Sequence, residues 1–174
     1  MTSEHDWQAR IDAQWQRLDA MEPDAFVAAV DALAGERADD DAAALFERAA
    51  ARDSTGDESG AETLYRAALA TGRLDPYRNV RARVQLGSTM RLLGRLDESE
   101  RLLREELEQR TGPGPFVLHD ELRAILALTL IAQGRGAEAA ALALTALAPH
   151  LTRYQRSVTR CAAEWLEPGP PDPR

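Results

Sequence analysis

This chain contains a single cysteine, Cys161, and no lysine among its 174 residues. One cysteine cannot form an internal disulfide, so the fold has to be stable without one. Long apolar runs are also absent, and the N-terminal segment has none of the apolar character of a signal peptide. We therefore expect no membrane span and a cytoplasmic location.

Aromatic residues make up only 5% of the sequence, whereas hydrophobic residues make up 44%, many of them Ala and Leu. This composition favours helices packed on helices over a sandwich of β-sheets. The length suffices for one domain or for a stack of a few helix pairs. A net charge of −8 argues against nucleic acid as a partner, because binding a polyanion requires a basic surface.

The sequence also lacks the motifs that carry common enzyme chemistry, such as a phosphate-binding glycine loop or a pair of cysteines at metal-ligand spacing. Its histidines, His5, His119 and His150, are scattered. The segment from Asp53 to Gly60 has oxygen-bearing side chains at calcium-loop spacing but no glycine at the sixth position. We expect no catalytic residue, no metal and no cofactor, and we expect Cys161 to be a buried packing residue.

What the sequence does contain is one pattern that occurs three times: a small residue, Gly seven positions later, and a small residue five positions after that. The three copies are Ala49, Gly56 and Ala61; Gly87, Gly94 and Ser99; and Ala127, Gly134 and Ala139. Small residues allow two antiparallel helices to approach closely, and Gly favours the left-handed conformation that ends many helices. Each copy therefore predicts a pair of helices joined by a turn at the glycine.

Apolar spacing and capping residues predict what surrounds the repeats. Residues 1–37 are predicted to form a helical lead-in, with Trp7, Ile11, Trp15 and Leu18 on one apolar stripe. The acidic run Asp39-Asp40-Asp41 is predicted to cap the first helix of repeat one, and Asp75 is predicted to cap the first helix of repeat two.

The predicted repeat region spans 38–151, with repeats at about 41–72, 75–111 and 115–150. Residues 152–166 are predicted to form a capping helix, and the proline-rich tail 167–174 is predicted to be disordered. One face of the capping helix is apolar and carries Tyr154, Val158, Cys161, Ala162 and Trp165.

The second copy carries a resemblance to a known family. It reads Leu86-Gly87-x-x-Met90-x-x-Leu93-Gly94-x-Leu96-x-x-Ser99 and resembles the tetratricopeptide repeat. The resemblance covers roughly residues 42–150, with spacings of 38 and 40 residues between the turn glycines, against about 34 in the standard repeat. The chain departs from the pattern at Glu106, where a small residue is usual.

The chain also resembles a bacterial group of divergent tetratricopeptide repeat proteins that have an N-terminal helical lead-in, some of which dimerise. The resemblance implies an all-α fold, a right-handed solenoid of antiparallel helix pairs closed by a C-terminal capping helix. It implies a protein that binds other proteins rather than an enzyme.

In this family the first helix of each repeat lines a concave groove. Matching the family positions to this chain predicts a peptide-binding groove formed by Phe46, Ala50, Arg81, Val84, Ser88, Arg91, Glu121 and Leu128. The two arginines give the groove a basic centre suited to carboxylates. The alternative for both is an arginine that is solvated or paired within its own chain.

The sequence therefore predicts a non-enzymatic interaction module that binds a peptide or protein segment in its groove. The alternative is a homodimer without a groove ligand, in which the solenoid or the lead-in helix forms the dimer interface.

Overall fold

The computed structural model describes residues 4–109 and 118–166, and these residues form nine α-helices and no strand. In chain order the helices are α1 (Glu4–Trp15), α2 (Pro23–Ala34), α3 (Ala42–Thr55), α4 (Glu58–Ala70), α5 (Pro76–Leu92), α6 (Leu96–Glu108), α7 (His119–Ala132), α8 (Gly136–Leu147) and α9 (Gln155–Leu166). Short 3-10 turns follow α1 and α8. The all-α prediction is confirmed, whereas the predicted tail at 167–174 lies outside the described residues.

The turn glycines behave as the repeat pattern predicts. Gly56, Gly94 and Gly134 have φ angles of 88°, 76° and 79°, in the left-handed region that side chains disfavour. Each lies in the turn that separates the two helices of a predicted pair. The helix stops inferred from the sequence are thus confirmed.

The predicted helix starts are also confirmed. The Asp41 carboxylate accepts a hydrogen bond of 2.9 Å from the backbone N–H of Ala44. The Asp75 carboxylate accepts one of 3.0 Å from the N–H of Arg78, and Pro76 occupies the first helical position of α5. Both caps satisfy an N–H group that would otherwise have no partner in its helix.

The chain divides into two compact units between Leu93 and Gly94, and the first unit contains α1 to α5. Within it α1 contacts α2, α2 contacts α3, and α3 contacts both α4 and α5. The lead-in helices are part of this core: Trp7, Ile11, Phe26 and Val30 are all buried. The indole of Trp7 donates a hydrogen bond of 2.8 Å to the carbonyl of Leu33, which fixes α1 on the end of α2.

The second unit contains α6 to α9, in which each helix packs on the next. Its centre includes Ser99 and Thr129, whose buried hydroxyl oxygens lie 3.0 Å apart between α6 and α7. At its surface, Glu100 lies between Arg104 and Arg135. Partial burial alone would raise the pKa of Glu100, but hydrogen bonds from these two guanidinium groups outweigh it and lower the pKa to about 2.

Helix α9 packs on α8, but its apolar residues are not buried as the sequence pattern predicts. Ala162 is its one buried residue, Val158 is half-buried, and Cys161 is exposed. The expectation that Cys161 is a buried packing residue is therefore wrong. The physical reason is that α9 packs on α8 and on the turn 148–150 through the side that carries Ala162 and Val158, and Cys161 lies off that side.

Candidate peptide-binding face

Helix α5 carries four of the predicted groove residues, and three of them reach the surface. Arg81, Ser88 and Arg91 are half-buried, and their spacing places them on one side of the helix. Arg81 and Arg91 are ten residues apart, which corresponds to about 15 Å along the helix axis. We call this side of α5 the arginine face.

The structure corrects three of the predicted groove residues. Phe46 and Ala50 are completely buried, and Val84 is almost so. The Phe46 ring packs against Tyr65 of α4, with ring centroids 6.0 Å apart. Since α3 is packed against both α4 and α5, its side chains at these positions build the core of the first unit rather than a surface. They do not contact a ligand directly in this arrangement.

Arg81 covers the buried Phe46, with its guanidinium carbon 5.2 Å from the ring centroid. Among the described residues Arg81 forms no ion pair; it contacts this ring and interacts electrostatically with the buried Tyr65. Other arginines of the first unit do pair with acids; Arg52, for example, lies 2.8 Å from Asp31. A cation–π contact orients a guanidinium but leaves its N–H donors free to bind an anion.

Arg91 also has few hydrogen-bond partners among the described residues. Its Nη2 lies 3.5 Å from the Ser88 hydroxyl, at the limit of a hydrogen bond, and its buried Nε has no partner among the described atoms. Within two helical turns, the buried side-chain oxygen of Gln85 lacks a partner among those atoms as well. Both atoms are inaccessible to solvent, and buried polar atoms left unpaired destabilise a fold, so they lower the stability of this part of α5.

A cleft of about 540 Å³ opens beside Arg81. It is lined by Gln8, Asp12, Trp15, Glu47, Tyr77, Arg78 and Arg81. Its residues come from α1, α3 and α5, so the lead-in helix forms one wall. Tyr77 is 49% exposed and is the most accessible aromatic side chain of the cleft.

The buried carboxylate of Glu47 lies at the inner wall of the cleft. Glu47 is only 3% exposed, and it accepts a hydrogen bond of 2.8 Å from the indole nitrogen of Trp15. Arg78 lies 3.5 Å from Glu47, pairs with Asp75 at 2.8 Å and also donates to Gln8. Arg78 therefore has polar partners within its own chain, whereas Arg81, on the next turn of α5, has no acidic partner among the described residues.

Behind the arginine face lies a half-buried acid, Asp53, on α3. Its carboxylate accepts hydrogen bonds from the hydroxyls of Thr89 and Tyr65, at 3.0 and 3.4 Å. Burial raises the pKa of Asp53, and these two hydrogen bonds counteract only part of that rise. Asp53 therefore joins α3 to α4 and α5 within the first unit.

Comparison with known families decides the assignment. The model of a family described as "Tetratrico peptide repeat" matches residues 42–165, which is most of the chain. The chain belongs to the tetratricopeptide repeat family. No protein among the curated ones and no solved structure matches it. Tetratricopeptide repeat proteins are in general protein-interaction modules rather than enzymes, so protein partners are expected for this one.

Two predicted groove residues of this tetratricopeptide repeat protein lie in the second unit. Glu121 and Leu128 are both exposed on α7, and their spacing of seven residues places them on one side of that helix. The structure therefore leaves five of the predicted positions with accessible side chains: Arg81, Ser88, Arg91, Glu121 and Leu128.

The tetratricopeptide repeat register missed the wall residues of the cleft. Trp15 and Glu47 lie outside the family's groove positions, and the apolar spacing of the lead-in places Trp15 on a packing stripe. Tyr77 follows Pro76 in the first turn of α5, where an aromatic residue has no predicted neighbour to pack on. The position of Tyr77 is the one signal in the sequence that could have identified it as a residue of the cleft.

Over residues 4–109 and 118–166, no helix is long and apolar enough to cross a membrane. In the same residues, no group of three or more His, Cys, Asp or Glu side chains is placed to hold a metal ion.

Proposed function

We propose that this tetratricopeptide repeat protein is a non-catalytic adaptor that binds an acidic peptide segment on the arginine face and in the adjoining cleft. The observation that supports this most is the state of Arg81, an accessible cation without an acidic partner among the described residues. In a chain of net charge −8, acids are plentiful, and other arginines of the first unit such as Arg10, Arg48 and Arg52 are each paired with one. An anion from outside the chain can therefore occupy the free donors of Arg81.

Arg81 and Arg91 together set the spacing of the peptide's acidic groups. The separation of about 15 Å along α5 matches four to five residues of extended chain at about 3.3 Å each. A guanidinium can bind a carboxylate through two parallel hydrogen bonds, which favours arginine over other cations for this purpose. Ser88, between the two arginines, offers a hydroxyl to the peptide backbone.

The cleft provides the apolar part of the site. Tyr77 is 49% exposed and lines the cleft together with Arg81, and an apolar or aromatic side chain of the peptide can pack there. Phe46 contributes indirectly, because its ring holds the guanidinium of Arg81 in place. The peptide that fits this site carries two acidic residues, one for each arginine, and an apolar residue close to the acid that binds Arg81.

The proposal is tested with peptides selected from a random library displayed on phage. The selected peptides are labelled with fluorescein, and their binding is measured by fluorescence anisotropy. We expect the selected set to be rich in Asp and Glu, and we expect Arg81→Gln to weaken binding about tenfold or more, as for loss of a charge-assisted hydrogen bond.

Arg66→Gln is the matched control. Arg66 is an exposed arginine on α4 that pairs with Glu62 at 2.7 Å, away from the arginine face. Selected peptides without acidic residues, or equal weakening by the Arg81 and Arg66 substitutions, would contradict the proposal.

The alternative, a homodimer formed through the lead-in helix, finds less support. The apolar stripe of α1 is already covered, since Trp7 and Ile11 are buried within the first unit and Trp15 packs edge-on against Phe26. The proposed setting remains the cytoplasm, and the proposal requires no cofactor, metal or nucleic acid.

A further inference from the structure

The cleft beside Arg81 contains an uncompensated charge of each sign. Asp12, on α1, is exposed, and its carboxylate accepts a hydrogen bond of 2.7 Å from the side-chain amide of Gln8. Among the described residues this amide is the one partner of the Asp12 side chain, which forms no ion pair there. Arg81, on α5, has no acidic partner among them either. The cleft thus presents a free anion on one helix and a free cation on another.

The remaining charged groups that line the cleft have partners within the chain. Glu47 lies 3.5 Å from Arg78, which also pairs with Asp75 at 2.8 Å. Gln8 joins these groups to Asp12, because its amide oxygen accepts from Arg78 and its amide nitrogen donates to Asp12. The Asp12 carboxylate is therefore held against the cleft wall by a hydrogen bond, while its charge is left uncompensated.

We propose that Asp12 binds a basic residue of the acidic peptide, so that the bound segment carries a lysine or arginine close to the acid that binds Arg81. This inference rests on the proposed function and adds a charge of the opposite sign to the recognised sequence. A segment with acids alone would bring a negative charge toward Asp12, and like charges repel. A base at this position places each charge of the segment beside one of opposite sign.

The size of the cleft sets the distance between the two charges of the peptide. A volume of about 540 Å³ corresponds to a cavity roughly 8 Å across, which two to three residues of extended chain span at about 3.3 Å each. Tyr77, Arg78 and Arg81 line the cleft at the N-terminal part of α5, whereas Arg91 lies toward the other end of that helix. The base is therefore two or three residues from the acid at Arg81, on the side away from the second acid.

The aromatic rings of the cleft favour a basic side chain for a second reason. Tyr77 is 49% exposed and Trp15 is half-buried, and both line the cleft together with Asp12. The aliphatic stem of a lysine or arginine packs on such rings while its charged end reaches a carboxylate. The faces of aromatic rings also attract cations. The base therefore adds to the apolar contact at Tyr77 and does not compete with it.

The peptides selected on phage for the proposed function test this inference. We expect Lys or Arg to be enriched two or three residues from one of the acids. In fluorescence anisotropy, replacing this base of the peptide by alanine should weaken binding to the wild type about two- to fivefold, as for an exposed ion pair. Asp12→Asn should weaken binding of the original peptide equally, and the alanine peptide should then bind this variant no more weakly than the original does.

Charge reversal gives a sharper measurement. A peptide with glutamate in place of the base should bind the wild type more weakly than the alanine peptide does, and Asp12→Lys should restore its binding. Asp24→Asn is the matched control for the loss of a negative charge, because Asp24 is exposed on α2 and is not among the residues that line the cleft. Circular dichroism of each variant checks that it folds.

Two results would overturn the inference and leave the adaptor proposal intact. One is a set of acidic peptides without an enriched base, which Asp12→Asn binds as tightly as the wild type does. The other is an equal weakening by Asp12→Asn and Asp24→Asn, which would indicate an effect of net charge alone. Selected peptides without acidic residues would instead contradict the adaptor proposal itself, and this inference would fail with it.

Discussion

The indole nitrogen of Trp15 donates a hydrogen bond of 2.8 Å to the carboxylate of Glu47. It joins the lead-in helix α1 to α3, the first helix of the repeats, and Glu47 is almost inaccessible to water. A buried carboxylate oxygen that loses its donor is left unpaired, and such a loss costs more free energy than the hydrogen bond itself contributes.

Trp15→Phe keeps most of the aromatic packing on Phe26 but removes this donor. We expect the free energy of unfolding to fall by about 1 to 3 kcal/mol. Urea denaturation measures the change. The same substitution made in a Glu47→Gln chain should cost less, because the buried charge is already gone, and an equal cost of Trp15→Phe in both backgrounds would show that the hydrogen bond is not the cause.

Gly134, in the turn between α7 and α8, and Gly136, the first residue of α8, provide a matched pair. Gly134→Ala should destabilise the chain by about 1 to 2 kcal/mol, because φ is 79° and an L side chain is strained there. Gly136 begins α8, and a Cβ added there meets no atom within 4 Å. Gly136→Ala should therefore be neutral or stabilise by up to about 1 kcal/mol. Thermal melts that lower the Tm equally for both variants would contradict the assignment of Gly134 as a helix stop.

Asp53 makes the stability of the first unit depend on pH. Its pKa is raised in the folded chain by burial, so the folded state holds this proton more tightly than the unfolded state does. The stability that protonation provides is complete below the unfolded pKa of about 4 and is lost as the pH rises through the folded pKa. Asp53→Asn removes the charge and retains an acceptor for Thr89.

We expect the free energy of unfolding of the Asp53→Asn variant to rise relative to that of the wild type as the pH increases from 4 to 7. Urea unfolding of both proteins measures the difference. Asp19→Asn is a suitable control for the lost charge, since Asp19 is an exposed acid of the same unit. If the difference between wild type and Asp53→Asn stays constant with pH, burial does not raise this pKa.

The repeat architecture follows from local signals that the sequence contains in full. Gly56 and Gly134 end helices because of their own backbone freedom, and Asp41 and Asp75 cap helices through side chains within three residues of the N–H they bind. Such features require no knowledge of the tertiary structure, which is why the predicted helix starts and stops at these residues agree with the observed ones.

The accessibility of the groove positions could not be derived in the same way. A heptad or repeat register shows which residues share a side of a helix, but not how much of that side a neighbour covers. Phe46 is buried by Tyr65, nineteen residues later in the chain, whereas Trp165 is left exposed by α8. Both outcomes depend on packing distances that a single sequence does not contain.

The three tryptophans occupy three different environments. Trp7 is buried and Trp15 half-buried in the first unit, whereas Trp165 is exposed in the second. A chain with Trp165→Phe emits indole fluorescence from the first unit alone, and one with both Trp7→Phe and Trp15→Phe emits it from the second alone. The molecule thus carries an intrinsic optical label for each unit, with which the cooperativity of their unfolding can be followed without any added dye.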